Sequence, residues 1–249
     1  MAGGNFTSAR LKRTDLDAVL DELPEPARIL AGLLTARFSC RAYLPTPVPR
    51  RQIEHILQLA QLTASWANIQ PWQVIITEGE GTRRFAEALY DHAQNDPMGM
   101  DFDFPPPPGY QGVYDERRKE CGIQLYTSLG IQRGDRQAGL LQALENFHLF
   151  GAPHAAIITT DRDTGLYGAV DTGGYVANFM LAAQSLGIAT IPQASLARYG
   201  SFVRSHFNLP QERAIFCGLS FGYADADHPA NGFRTFRADP EEVADFRGQ

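Results

Sequence analysis

The sequence predicts an α+β layered domain interrupted by one irregular insertion. Three observations predict it. Four apolar runs of strand length, "WQVIITEG", "APHAAIITT", "IATIPQ" and "AIFCGLSFGYAD", alternate with longer helical patterns, and the helices dominate. The chain has 249 residues, 44% of them hydrophobic, enough for one large core. A proline-rich stretch without helical period separates the early elements from the late ones, and no internal repeat is visible.

In chain order, residues 1–32 form an N-terminal extension of helical character, with a helical pattern over Arg28 to Thr35. In "PRRQIEHILQLAQLTA", Ile53, Ile56, Leu57 and Ala60 share one helical face. "WQVIITEG" reads as a buried strand and "GTRRFAEALYDHA" as a helix. "NDPMGMDFDFPPPPGYQGVY", about 95–115, is an excursion, either an active-site flap, a partner-embracing loop or a linker. Its four consecutive prolines and its aromatics, Phe102, Phe104, Tyr110 and Tyr114, suit a packed segment. Two helices follow, about Asp115 to Leu129 and Asp135 to Phe150. After the second strand, "DTGGYVANFMLAAQSLG" is an apolar helix that Gly187 stops. "SLARYGSFVRSHFN" is a helix between the last two strands. Residues 33–240 make up the main domain and 241–249 a tail.

Composition excludes several classes. The net charge is −6, so a phosphate-backbone partner, and with it nucleic acid, is not expected. No apolar run spans a membrane and no signal-peptide core is present. Three widely spaced cysteines fit reduced thiols in the cytoplasm. The six histidines show no metal-ligand spacing, so no metal site is expected. No G-x-G-x-x-G and no P-loop occurs. "GLSFG" at Gly218 to Gly222 matches the nucleophile elbow, but a turn-rich stretch replaces the required helix. It reads instead as a buried strand whose glycines permit close approach.

Two segments carry chemistry. In "RFSCRAY", Arg37, Ser39 and Arg41 recur at every second residue and share one side of an extended segment. Two guanidiniums and a hydroxyl there make a clamp for a phosphate monoester; a solvated edge is the plainer reading. All but two of the 22 basic residues are arginines, the exceptions being Lys12 and Lys119. A second basic cluster, "NGFRTFR", holds Arg234 and Arg237. In "SWANIQPW", Ser65 to Trp72, two tryptophans bracket Asn68 and Gln70 on a helix-to-strand turn. Rings and amides together suit a pocket for a flat, polar-edged molecule. Trp72 suits the core, and Gln70 serves either the pocket or the turn itself.

These pieces join into a resemblance. "RFSCRAYLPTPVP", an amphipathic helix and then "ASWANIQPWQVIIT" resemble the N-terminal half of the FMN-dependent nitroreductase family, whose pattern is roughly R-x-S-x-R-x-[FY]-x-x-x-P-V, a helix, then A-x-S-x-x-N-x-Q-P-W. "PPPPGYQGVYDERRKECGIQLYTSLGIQRGD", "ENFHLFGAPHAAIITTDR" and "GYADADHPANGFRTFR" are similar to its nitrobenzoate-reductase-like branch. The resemblance spans about residues 33 to 240.

It implies a layered fold with a central mixed sheet flanked by helices, in an intertwined homodimer with FMN at sites built from both subunits. Arg37, Ser39 and Arg41 would hold the ribityl phosphate, and Arg237 with Arg234 would reach it from the tail. Ser65, Trp66, Asn68 and Gln70 would come from the other subunit. Pro192, Gln193 and Ala194 would pass the flavin ring near N5. Trp66, where many relatives have a small residue, would border the substrate together with Phe104 and Tyr110. The implied activity is NADPH- or NADH-dependent, two-electron, ping-pong reduction of nitroaromatic compounds, with no protein side chain as catalyst. Reductive dehalogenation, quinone or enone reduction, flavin cleavage and a non-catalytic flavin carrier are the alternatives.

Overall fold

The computed structural model describes residues 10–11, 20 and 22–248. The chain divides into two compact units, Met1–Thr35 with Arg234–Gln249, and Ala36–Phe233. In the first, β1 (Arg10–Leu11) pairs antiparallel with Arg237–Ala238, and α1 spans Glu25–Ala36. That unit takes in residues 234–240 as well as the expected extension and tail. The helical reading of residues 1–9 and 12–19 lies outside the described residues.

The second unit is built on a four-stranded sheet. Its elements are α2 (Arg50–Ala60), β2 (Trp72–Glu78), α3 (Glu80–Asn95), α4 (Val113–Ser128), α5 (Arg136–Leu144), β3 (His154–Asp161), α6 (Gly165–Ser185), β4 (Ala189–Gln193), α7 (Ala194–Ala197), α8 (Gly200–His206) and β5 (Arg213–Gly222). The sheet order is β2-β3-β5-β4. All its strand pairs are antiparallel. The parallel component of the expected mixed sheet is a single bridge from Ser39 to Thr190 of β4.

Helices outnumber strands because both sheet faces must be covered. Along β3 every residue from His154 to Thr160 is buried. Ala155 and Ile157 face one core with Phe85, Leu89 and Leu196. Ala156 and Ile158 face the other with Ile53, Ile56, Tyr175 and Phe179. The 2-residue side-chain period of a strand divides the two cores. Gly187 ends α6 with φ +72°, and the Ile188 N–H donates to the Ala183 carbonyl at 2.9 Å. The expected helix over 195–208 is instead two short helices, α7 and α8, broken at Arg198–Tyr199. The helix expected to reach Phe150 ends at Leu144; Leu149 and Phe150 take positive φ, which a helix does not allow.

"GLSFG" is interior strand. Ser220 is fully buried, and its hydroxyl donates to the Gln193 side-chain carbonyl. A Cβ on Gly218 would stand 2.1 Å from the Leu196 side chain, and one on Gly222 2.6 Å from Pro153. The glycines therefore serve close packing.

Candidate functional site

β4 is an edge strand, and the "RFSCR" segment runs along its open side. The Cys40 N–H donates to the Thr190 carbonyl at 3.1 Å, beside the parallel Ser39–Thr190 bridge. A parallel ladder would continue with an N–H from residue 192. Pro192 has none, so the ladder stops after one rung. Past that point the segment turns away. The Arg41 N–H donates to Asn231 Oδ1 at 2.8 Å, and Asn231 Nδ2 donates to the Ala42 carbonyl at 2.9 Å. The Tyr43 hydroxyl then donates to the Ser220 carbonyl at 3.0 Å. The sequence-predicted clamp and the predicted flavin-contact strand thus lie side by side on one sheet edge and diverge there.

Arg41 is half-buried. Its guanidinium donates to the Ser39 carbonyl at 3.2 Å and lies 5.7 Å from the Phe233 ring centroid. Burial lowers its pKa, while charge interactions with the ionisable Cys121, Tyr43 and Cys40 act in the other direction. Arg41 has no carboxylate partner among the described residues. A partly desolvated cation held by a carbonyl and a ring is suited to an anionic ligand. Arg37 and Ser39 are half-buried in the same segment. Cys40 between them is buried, and burial pushes its thiol pKa up, as befits a packing residue. Asn231, which fastens this segment, has no sequence signal beyond an Asn-Gly turn in "HPANG".

On β4 the pleat sorts the three expected contact residues. Pro192 and Ala194 are exposed; Gln193 is 2% exposed and points inward. Its Nε2 donates to the Asn146 carbonyl at 2.9 Å. Its side chain therefore contacts protein, and only its backbone lies at the edge.

The "SWANIQPW" turn is held by itself. Ala67, Asn68 and Gln70 adopt φ of 49°, 58° and 47°. Such left-handed backbone is costly for Ala and Gln and persists only where neighbours enforce it. Here Ser65 Oγ accepts from the Gln70 N–H at 3.0 Å. Gln70 Nε2 donates to Asn68 Oδ1 at 3.1 Å, and Gln70 Oε1 accepts from Gln61 Nε2 at 2.8 Å. Gln70 thus knits the turn. Trp72 is core: it stacks on Tyr175 with centroids 5.0 Å apart, and its Nε1 donates to Gln61 Oε1 at 3.1 Å. Trp66 is its opposite, 61% exposed, docked edge-on against Tyr167 at 4.3 Å. Its N–H donates to Asp171 Oδ2 at 3.0 Å. Asn68 is exposed beside it. Around them Leu62, Leu166 and Val170 are exposed as well.

The excursion, residues 96–112, is tied at its stem. Asp103 accepts from Arg162 and Arg204, and from the Ile215 N–H at 2.6 Å. The Asp101 N–H donates to the Arg198 carbonyl at 2.8 Å. Phe104 packs edge-on against Phe216 at 5.7 Å. The four prolines and Tyr110 form an exposed tip. Arg234 and Arg237 belong to the terminal unit; both are exposed, and Arg237 Nη1 donates to Thr235 Oγ1 at 2.9 Å.

Among the described residues no group of His, Cys, Asp or Glu could hold a metal ion, and no helix is long and apolar enough to cross a membrane. Cys40, Cys121 and Cys217 are unpaired thiols.

The chain is similar to known proteins over most of its length. The chain is 38% identical over 224 residues to nitroreductase NfnB of Mycolicibacterium smegmatis, covering 88% of this chain and 93% of that protein. It is 33% identical over 217 residues to 4-nitrobenzoate reductase of Pseudomonas putida, covering 87% and 95%. The crystal structure of the FMN-dependent NfnB from Mycobacterium smegmatis in complex with NADPH superposes with a TM-score of 0.85 at 35% identity, covering 90% of this chain and all of that one. A family model described as Nitroreductase family matches residues 34–223, and the chain belongs to that family.

Proposed function

We propose that this chain is an FMN-dependent oxidoreductase that uses NADPH to reduce nitroaromatic compounds. The observation that carries the reading is the single rung between Cys40 and Thr190. It sets the Arg37–Arg41 clamp beside Pro192–Ala194, in a fold shared with an FMN-dependent enzyme whose structure includes NADPH. The residues fit the cofactor: a half-buried guanidinium without a carboxylate partner suits a phosphate, and an edge strand interrupted by proline leaves backbone open to a flat ring. Arg37, Ser39 and Arg41 bind the phosphate. Pro192, Ala194 and the backbone of Gln193 border the ring. When bound, FMN supplies hydride acceptance from the nicotinamide and two-electron delivery to the nitro group. The chain's own part is to bind, orient and exclude water, and no side chain serves as a proton donor.

The active form is a homodimer. Trp66, Asn68 and the exposed Leu62, Leu166 and Val170 form an apolar, amide-bearing face on the lone chain. A second copy covers it and receives Ser65, Trp66 and Asn68 at its own FMN. Tyr110 on the excursion tip faces substrate, with Phe104 as its anchor. The three unpaired thiols suit the cytoplasm.

The test uses purified protein. It should be yellow, release FMN and not FAD on denaturation, be bleached by NADPH without oxygen, and then be reoxidised by 4-nitrobenzoate. Double-reciprocal plots against NADPH at several nitroarene concentrations should be parallel. Absence of flavin after reconstitution with FMN would refute the assignment. Rapid reoxidation by quinones or enones with none by nitroarenes would move the chain to another flavin reaction.

A further inference from the structure

Gln193 carries more than its place on β4 explains. Its Nε2 donates to the Asn146 carbonyl at 2.9 Å and to Asn146 Oδ1 at 3.3 Å. Its Oε1 accepts from the Ser220 hydroxyl. Ser195 Oγ also donates to Asn146 Oδ1, at 2.9 Å, and Asn146 Nδ2 donates to the Ala143 carbonyl at 3.0 Å. Asn146 therefore holds the end of β4 and the start of α7, on either side of Ala194. The network continues through Ser220, whose carbonyl accepts from Tyr43, two residues after Arg41. One chain of buried and half-buried polar groups thus links the backbone at 192–195 to the segment that carries Arg41. Such a network needs every member satisfied, and this one is.

We propose that Gln193 is the positioning residue of the site: its amide fixes the backbone of residues 192–195 at the angle the flavin requires. The inference rests on the FMN reading above for what that edge touches. An apolar side chain would fill the same volume and leave the edge free to rotate. An amide can donate to Asn146 while accepting from Ser220, which no apolar side chain can do.

The test compares wild type with Gln193→Met and Gln193→Glu in the FMN-loaded protein. In Gln193→Met, backbone amides of Ala194 to Ala197 should exchange hydrogen at least about tenfold faster. Flavin reduction by NADPH should slow about tenfold or more, with the half-saturating NADPH concentration unchanged. In Gln193→Glu the introduced carboxyl can replace the amide only when protonated, because it faces two Asn146 oxygens. Reduction should approach the wild-type rate near pH 5.5 and fall as pH rises, against a flatter wild-type profile. Exchange at Ala194–Ala197 equal to wild type in Gln193→Met overturns the proposal. So does a pH profile of Gln193→Glu parallel to wild type. If Gln193→Met fails to fold, the pH profile decides alone. The exchange measurement needs no flavin, so a protein that binds no FMN would refute the functional reading and leave this test standing.

Discussion

Two segments that carry the family pattern are held in opposite ways. Arg37–Tyr43 is fastened by distant parts of the chain: Thr190, Asn231 and Ser220. Ser65–Gln70 is fastened mainly by itself and its approach, through Ser65, Gln70 and Gln61, with Asp171 as a distant anchor at its start and Arg213, Thr160 and Tyr175 holding Pro71 and Trp72 beyond its end. The first is set into the sheet edge, where its partners leave little freedom. The second stands out from the surface with Trp66 61% exposed. A segment set into its own fold can complete a half-site on its own chain. A rigid, outward turn is suited to completing a half-site on another.

The largest effect should come from breaking the first segment. Arg41→Ala removes a partly desolvated cation from the proposed phosphate site, which should cost roughly 2–5 kcal/mol of FMN binding, about 30-fold to several-thousand-fold. Circular dichroism should be unchanged, because the backbone bonds at Arg41 and Ala42 remain. An unaltered FMN dissociation constant, measured by fluorescence, would return Arg41 to the solvated-edge reading.

The second experiment breaks the comparison directly. Asn68→Ala should weaken FMN binding by about 1–2 kcal/mol, roughly 5- to 30-fold, as one lost polar contact does. Mixing Arg41→Ala and Asn68→Ala subunits should restore one wild-type site per heterodimer, since one interface would then carry both intact segments. If no heterodimer site regains wild-type affinity, the two segments act within one chain and the contrast between them has no functional meaning.

A third sharpens the contrast inside the turn. Gln70→Ala removes the bonds to Asn68 and Gln61 and frees a left-handed backbone. It should cost about 1 kcal/mol of stability, small because the amide is exposed. FMN affinity should fall in the dimer by less than in Asn68→Ala. A larger fall would make Gln70 a cofactor contact after all.

Much of this was legible. The four strands and the apolar face of α2 follow from periodicity, and Gly187 stops α6 as its chemistry requires. The extended Arg37–Arg41 segment stands out because every-second-residue spacing is a local property. What escaped is long-range. Gln193 turns inward because the pleat of β4 is phased by its pairing with β5, which no local pattern reveals. Asn231 holds a backbone 190 residues earlier in the chain, and its own neighbourhood signals only a turn. The break at Arg198–Tyr199 comes from the excursion stem pairing there, so local helical propensity lost to a tertiary contact.

The smallest expected effect concerns the stretch between the two segments. The Val48 N–H donates to His154 Nε2 at 2.9 Å, so that nitrogen is the acceptor and Nδ1 carries the proton toward the Thr77 carbonyl at 3.1 Å. His154 is 2% exposed and stacks on Phe221. Burial lowers its pKa, more than the Thr77 carbonyl and Glu78 raise it. The native state therefore binds its proton less readily than the unfolded chain does. Stability from this group is complete above the unfolded value of about 6.5 and is lost as pH falls from there toward the depressed native value. The slope cannot exceed about 1.4 kcal/mol per pH unit for one proton. His206, whose pKa burial also lowers, adds a slope of the same sign. Urea unfolding of wild type and His154→Gln at pH 7.5, 6.5 and 5.5 separates the two: the wild-type midpoint should drop more steeply on acidification than the variant's. Val48 leads from the first segment into α2, and Thr77 follows the second on β2, so acid should loosen both segments together. Faster hydrogen exchange near Val48 alone at pH 5.5, with none near Thr77, would show that the two segments are fastened independently even here.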